Sequence, residues 1–281
     1  MSYKDVLIFA AEAGLDAPAI ALGAALAQKF DAHLAAAFLT PLPDEPLAYE
    51  PTVVAGVWAE LLGRARQQAE AERGKVQAAL DKIGRPCEFR SAEALSRDLG
   101  RVAAVHARYS DIAVLARAPD GDGGDVRDEI VEGVLFHAGR PALIAPPNWK
   151  GDGVGRRIMV AWDASREATR ALGDAGPILE KAESVAIVTV DAKPKMFGHG
   201  DMPGANIAAH LERRGVANVE VRNIDGGGRS TAQALAETAR DMGADLLVMG
   251  GYASSRLKEL VFGGATRDLL RTASLPLLMS H

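Results

Sequence analysis

Short apolar runs alternate with longer amphipathic segments along the whole chain, and this alternation predicts strands separated by helices. Strands joined by helical crossovers form a parallel sheet covered on both faces, so the pattern predicts an α/β fold. The predicted strands are 6–10, 34–39, 87–90, 112–116, 142–145, 156–161, 185–190, 219–224, 246–249 and 277–279. The predicted helices are 16–30, 52–83, 95–109, 130–137, 165–179, 205–214, 230–242 and a segment that follows Gly264.

The pattern occurs twice, which indicates a duplicated unit. Segment 156–161 repeats the spacing of polar and apolar residues in 4–9. Near the end of each half, segment 272–279 aligns with 137–144. Each half therefore contains five predicted strands, and each is predicted to be a doubly wound domain with a five-stranded parallel sheet flanked by helices.

The polar, glycine-rich segment 148–155 separates the two copies and is predicted to be a linker. The predicted domains are 1–148 and 155–281. They differ mainly between their second and third strands, where the first half carries the longer insert. Gly63 and Gly74 are expected to weaken the long helix of this insert or to break it in two.

The stretch Asp245–Thr266 has the pattern of a phosphate-binding segment. Its apolar run ends at Gly250 and Gly251, and Gly263 and Gly264 come directly before a helical pattern. Glycine turns allow the backbone to approach a phosphate closely, and the amides at a helix start point at the anion.

This stretch resembles the phosphate-binding signature of the universal stress protein family, Gly-x2-Gly-x9-Gly-(Ser/Thr), which follows the fourth strand. Gly250 and Gly263 occupy the first and third glycine positions. Ala253 stands at the second glycine position, and Gly264 stands where the hydroxyl residue is expected. The five-strand repeat is similar to tandem members of the family, which carry two such domains in one chain.

The resemblance implies a strand order of 3-2-1-4-5 in each half and pairing of the halves through their last strands. It also implies an adenine nucleotide, ATP with or without Mg²⁺, as the ligand of the second half. The candidate nucleotide-binding residues are Ala161, Asp163, Val190, Met249, Gly250, Ala253, Ser254, Arg256, Gly263, Gly264, Ala265 and Thr266.

Several of these residues have an equally simple structural interpretation. Asp163 is suited to accept hydrogen bonds from ribose hydroxyls, or it helps to cap the following helix. Val190 contacts an adenine ring, or it belongs to the core. Arg256 binds phosphate, or it is a solvated surface charge. Thr266 offers the hydroxyl group that Gly264 lacks.

The first half is less well equipped for a nucleotide. Ala11 occupies the position of Asp163, and loop 117–127 has no glycine pair at the family spacing. Carboxylates in this loop would repel phosphate. They belong to Asp120, Asp122 and Asp125. We therefore expect the first domain to have lost nucleotide binding and to serve as a scaffold.

The composition of the chain argues against several classes of function. The net charge of −5 leaves no basic excess for a nucleic-acid partner. No uncharged run reaches the roughly 18 residues that a membrane span needs, and a single cysteine, Cys87, is compatible with a reducing cytoplasm. The six histidines show no metal-ligand spacing, and no nucleophile stands beside an evident base.

The leading hypothesis is a cytoplasmic stress-response protein that binds ATP in its second half. It would act without catalysis, through conformation or through a partner. Pairing with a second copy, or pairing of the two domains within one chain, is the expected assembly. The alternatives are an interaction module of the same fold that binds no nucleotide and, ranked last, a slow ATPase.

Overall fold

The computed structural model describes residues 2–45, 51–117, 126–151, 153–194, 199–251 and 264–281, with the side chains of 51–55 excepted. The chain forms two compact units. The N-terminal unit is Lys4–Arg140, and the C-terminal unit is Pro141–His281 together with Met1–Tyr3.

The N-terminal unit contains strands and helices in the predicted alternating order. Its strands are β1 (Asp5–Ala10), β2 (His33–Leu42), β3 (Glu88–Leu95) and β4 (Ile112–Ala116). Its helices are α1 (Ala13–Phe30), α2 (Pro51–Asp81), α3 (Leu99–Ala107) and α4 (Val126–Gly133), with a 3₁₀ turn at Ser96–Asp98 and a π-helical turn at Val134–Ala138.

The four strands of this unit form a parallel sheet in the order β3-β2-β1-β4. The last five residues of β1 and all of β4 are buried, which explains why both strands appear in the sequence as uninterrupted apolar runs. On one face α3 crosses α4 at Gly100 and Gly133. A Cβ on Gly133 would lie 2.4 Å from the Gly100 Cα, so this crossing requires glycine.

The C-terminal unit contains six strands and five helices among its described residues. Its strands are β5 (Ala142–Ala145), β6 (Arg157–Ala161), β7 (Ser184–Val190), β8 (Val219–Ile224), β9 (Leu246–Gly250) and β10 (Leu277–Ser280). Its helices are α5 (Arg166–Asp174), α6 (Gly176–Leu179), α7 (Ala205–Arg213), α8 (Thr231–Asp241) and α9 (Gly264–Thr272).

The sheet of the C-terminal unit has the order β5-β10-β9-β6-β7-β8. Strands β6 to β10 are parallel and follow the expected 3-2-1-4-5 order. Strand β5 pairs antiparallel with β10, with Leu143 opposite Leu278. Strand β5, predicted as the last strand of the first half, is grouped by its contacts with the C-terminal unit. The domain bounds 1–148 and 155–281 remain a prediction about the sequence repeat.

Corresponding strands of the two units pair in the same register, which supports the duplication. Val6 pairs with Ile112, and Ile158 pairs with Leu246. An aspartate directly before β4 fixes the start of β1, and an aspartate directly before β9 fixes the start of β6 in the same way. Asp111 accepts hydrogen bonds from the amides of residues 4 and 5, and Asp245 accepts them from those of residues 155–157.

Two local features of the first half differ from the sequence pattern: α2 is not broken in two, and β2 is longer than predicted. Helix α2 is continuous through Gly63 and Gly74, because its inner side is held by buried Val76 and Leu80. Strand β2 continues past Pro41 instead of ending there. Its pairing with β1 stops at residue 38, so the missing amide of the proline faces no partner strand on that side.

The helices in the described ranges lack the combination of length and hydropathy that a membrane crossing needs.

Candidate functional site

The candidate site lies in the C-terminal unit at the carboxyl ends of β6 and β9, which we call the second crevice. These strands are neighbours, and the strand that follows each of them in the chain lies on its outer side, β7 beside β6 and β10 beside β9. Ligands of doubly wound sheets bind at this kind of switch point. The turn after β6, the end of β9 and the start of α9 all belong to this edge.

The turn after β6 holds Asp163 at the surface. The Ser165 amide donates to the Asp163 carboxylate at 2.9 Å, and the Ser165 hydroxyl accepts from the Ala168 amide at 3.0 Å. Ser165 is thus the N-cap of α5. Ala164 between them has a left-handed backbone with φ of 60°. Asp163 takes part in the turn and is exposed, so its carboxylate remains accessible to a ligand.

The glycine at the end of β9 has a packing role. A Cβ on Gly250 would lie 2.5 Å from the Ala168 amide nitrogen and 2.7 Å from the Glu167 carbonyl carbon. Strand β9 therefore ends against the first turn of α5, and any side chain would force the two apart. The next residue, Gly251, donates its amide to the Ser280 carbonyl at 2.8 Å.

The remaining strand-end candidates lie in or near the core. Met249 is 6% exposed, and Ala161 and Val190 are partly buried. Val190 ends β7 opposite Ile224.

The start of α9 supplies a helix N-terminus. Gly264 is exposed, and a Cβ placed on it would meet nothing within 4 Å. The first turn of α9 contains no acidic residue, so the positive end of the helix dipole is not neutralised from within. Ala265 is partly buried and Thr266 is 7% exposed. Thr266, predicted to supply the hydroxyl group missing at Gly264, is therefore a mostly buried residue.

Four of the predicted binding residues lie outside the described residues. They are Ala253, Ser254, Arg256 and Gly263. Three acidic residues of the first half, whose predicted role was to repel phosphate, also lie outside them. They are Asp120, Asp122 and Asp125.

Beside the second crevice, the loops after β7 and β8 are tied together by polar side chains that sequence reasoning missed. The Asn223 side chain accepts from the Thr189 hydroxyl and from the Ala192 amide, and it donates to the Ala192 carbonyl. Asp191, left-handed with φ of 50°, accepts from the Gly226 amide at 3.0 Å. Polar residues at the ends of β7 and β8 were the available signal.

In the N-terminal unit the equivalent switch point between β1 and β4, the first crevice, contains a buried ion pair. The Arg127 guanidinium donates to the Asp16 carboxylate at 2.8 Å. Asp16 is 2% exposed and Arg127 is 5% exposed. The same carboxylate accepts from the amides of Ala11 and Glu12 at 2.7 and 2.8 Å. Sequence reasoning assigned Asp16 only to the start of a helix and did not find this pair.

Helix α4, which begins beside the first crevice, is acidic at its start. Its first turn carries Asp128 and Glu129. Partial burial, together with the negative charges of Glu129 and Asp128, raises the pKa of Glu132. This helix start is therefore unsuited to a phosphate.

A cavity of about 90 Å³ in the C-terminal unit lies away from the predicted site. It lies near the amino ends of β6 and β7 and beside β8, and it is lined partly by Arg157, Glu220 and Arg222. The Arg222–Glu220 ion pair and the hydrogen bond from Arg157 to the Gly243 carbonyl already satisfy these side chains. Within the described ranges, no cluster of three or more His, Cys, Asp or Glu side chains could hold a metal ion.

Comparison with known proteins shows which family and which solved structures the chain is similar to. The model of the universal stress protein family matches residues 155–281. A universal stress protein from Archaeoglobus fulgidus DSM 4304 is 16% identical, with a TM-score of 0.69 over 98% of this chain and 95% of that protein. A putative universal stress protein from Pseudomonas aeruginosa UCBPP-PA14 is 14% identical, with a TM-score of 0.55 over 99% and 93% of the two chains. No curated protein matches the chain significantly.

At these identities the solved structures show a shared fold over nearly the whole chain. The family model adds a match at the level of sequence, and residues 155–281 are similar to the universal stress protein family.

Proposed function

We propose that the second crevice binds an adenine nucleotide, ATP, and that the protein acts in a stress response without catalysis, through conformation or through a partner. The observation that supports this most is the contrast between the starts of α9 and α4. The first turn of α9 is free of acidic residues and follows glycines, whereas that of α4 carries Asp128 and Glu129. Only the former suits a phosphate.

Two parts of the site are assigned distinct roles in this proposal. Asp163 is exposed at the end of β6, and its carboxylate would accept hydrogen bonds from the ribose hydroxyls. The amides at the start of α9, beginning with Gly264, would face the phosphates. Val190 at the end of β7 would contact the base, because it lies on the strand next to β6.

The first experiment asks whether nucleotide is present at all. The purified protein is denatured, and the supernatant is examined by chromatography for released adenine nucleotide. The refolded or nucleotide-free protein is then titrated with ATP, with and without Mg²⁺, while its melting temperature is followed. We expect release, or a melting temperature that rises with ATP concentration. If neither occurs, the nucleotide proposal fails.

The second experiment tests Asp163. We expect Asp163→Ala to weaken ATP binding by roughly ten- to a hundredfold, because a hydrogen bond to a charged group contributes about 1.5–3 kcal/mol. Asp241→Ala is the matched control, since it removes an exposed carboxylate at the far end of α8. Unchanged affinity in Asp163→Ala would remove the ribose role from this residue.

A nucleotide-free interaction module is the second candidate, and one observation favours it. Gly250 is required for packing against α5, so its presence needs no phosphate. The variant Gly264→Ser, which restores the hydroxyl of the family signature, separates the two. Tighter ATP binding by this variant supports a phosphate site at α9. Absence of binding in both the original protein and the variant supports the interaction module. Phosphate release above a protein-free blank would instead support a slow ATPase.

A further inference from the structure

We propose that the first crevice is an anion site with a built-in occupant, in which the Asp16 carboxylate takes the place of an external anion. Arg127 and the backbone amides of the turn after β1 form the cradle that holds it. This inference does not depend on nucleotide binding in the second crevice.

The cradle consists of donors from two separate elements. The turn after β1 contributes the amides of Ala11 and Glu12, which donate to one Asp16 oxygen at 2.7 and 2.8 Å. Helix α4 contributes Arg127, whose Nε donates to the other oxygen at 2.8 Å. Two converging amides and a guanidinium are the donors that proteins use for carboxylates and phosphates.

The third amide of the turn is also bound by an internal carboxylate. Glu72, on the insert helix α2, accepts from the Ala13 amide at 3.0 Å. Lys75 hydrogen-bonds to Glu72, and together with the Ala13 amide it lowers the pKa of Glu72, which stays ionised at neutral pH. The insert that distinguishes the first half therefore helps to satisfy the turn that a ligand would otherwise contact.

Little space remains for another molecule. The cavity beside Asp16 has a volume of about 10 Å³, about the minimum for one water molecule, and Leu115 and Ile130 are among its apolar lining residues. Removal of the Asp16 carboxylate would take away the acceptor of the Arg127 Nε and of two backbone amides, and it would leave a small space in front of these donors. That space would match a small carboxylate such as formate.

The second half lacks this occupant. By the alignment that places Ala11 opposite Asp163, the residue opposite Asp16 is Ala168, whose amide is bound by the Ser165 hydroxyl. The first crevice is therefore held in one state by its own side chain, and its conformation should not respond to nucleotide.

Chemical rescue tests the proposal. Asp16→Ala is titrated with sodium formate, and sodium chloride of the same concentration is the reference at each step. We expect formate to raise the melting temperature of Asp16→Ala by roughly 4 °C or more relative to chloride. The original protein should show no such difference, because its cradle is already filled. Inorganic phosphate at the same ionic strength should rescue less, since it is larger than the lost group.

The double variant Asp16→Ala, Arg127→Met is the matched control. It has the same space without the guanidinium, so formate should stabilise it no more than chloride does. If Asp16→Ala does not fold in chloride, the yield of soluble, folded protein on refolding in formate replaces the melting temperature. Formate-dependent folding or melting that needs Arg127 supports the proposal. No formate effect, or an equal effect in the double variant, overturns it.

Discussion

The turns that follow β1 and β6 occupy equivalent places in the duplicated fold, yet they place a carboxylate in opposite environments. After β1 the carboxylate comes from Asp16, inside the first turn of α1, and it is buried against the turn amides. After β6 it comes from Asp163, in the turn itself, and it is exposed. The backbone differs accordingly. Glu12 has an extended backbone with φ of −145°. Ala164, its counterpart in the alignment of the two halves, has a left-handed backbone.

Under the proposals for the two crevices, this difference is how one fold keeps or loses a ligand site without a change in its strands. In both crevices a helix begins near the strand ends. In the proposals, the first crevice takes its negative charge from its own side chain, and the second takes it from a ligand. A carboxylate moved by a few positions along the chain is enough to fill the first crevice permanently.

The helices beside the two crevices differ in the same sense. Under the alignment of 137–144 with 272–279, the acidic pair at the start of α4 corresponds to a glycine pair at the start of α9. One turn later, Glu132 of α4 corresponds to Arg267 of α9. The first helix is therefore negative where the second is neutral or positive.

The largest effect is expected when one member of the buried Asp16–Arg127 ion pair is replaced. Arg127→Met should lower the free energy of unfolding by about 3–5 kcal/mol, because it leaves the Asp16 charge buried without its partner. Urea unfolding followed by circular dichroism measures the change. Arg64→Met is the control, since the Arg64–Glu60 pair is exposed and should be worth less than about 0.5 kcal/mol.

Replacing both members by apolar residues sharpens this prediction. Asp16→Leu, Arg127→Met should recover most of the loss, because no buried charge remains. Equal destabilisation by Arg127→Met and Arg64→Met would show that the pair is not buried in solution, and the contrast between the crevices would fail.

The next effect concerns the glycine at the end of β9. Gly250→Ala should lower the free energy of unfolding by about 1–3 kcal/mol, because its Cβ would meet backbone atoms of α5 at 2.5 and 2.7 Å. Gly264→Ala has open space and should cost nothing. Thermal and urea unfolding of the two variants check this. If both are equally stable, the packing explanation of Gly250 is wrong and a role in phosphate binding alone gains support.

The strand and helix pattern was predictable because its signals are local. β8 was predicted at its observed bounds, Val219–Ile224, and the helix predicted from residue 230 begins there, with a capping box formed by Ser230 and Gln233. The pairing of β5 with β10 was not predictable from local pattern, because Ala142–Ala145 has the same apolar run whether its neighbour is parallel or antiparallel. Strand polarity in a sheet depends on contacts that are distant in sequence.

The candidate sites were predictable to different degrees for the same reason. Asp163 and Gly250 stand next to strand ends and are visible in the sequence. The Asp16–Arg127 pair joins residues that are far apart in the chain and belong to two different helices, so no spacing rule finds it. The binding roles assigned to the second crevice remain predictions.

A smaller effect is expected at the left-handed residue of the second turn. Ala164→Gly should raise the free energy of unfolding by about 1 kcal/mol, because φ of 60° is strained for alanine and free for glycine. Glu12→Gly, the equivalent position in the first turn, should instead be destabilising by roughly 0.5–1 kcal/mol, since its backbone is extended and glycine adds only flexibility. Changes of the same sign in both variants would contradict the different turn geometries.

The smallest expected effect concerns the acidic residues of α4 and the pH dependence that they give to the free energy of unfolding. Because the folded protein raises the pKa of Glu132, ionisation of this residue is harder in the folded than in the unfolded state. The free energy of unfolding therefore falls as the pH rises from 4.5, the ordinary pKa of a glutamate, through the raised pKa of Glu132. Glu132→Gln avoids this loss, so the variant should be more stable at pH 7 by roughly a few tenths of a kcal/mol and equal to the original protein at low pH. Urea unfolding from pH 4 to pH 7 measures the difference.

Arg267→Gln, at the corresponding position of α9, should show no such trend, because a guanidinium keeps its charge over this range. A trend in both variants would mean that the charges of the two helix starts do not distinguish the crevices.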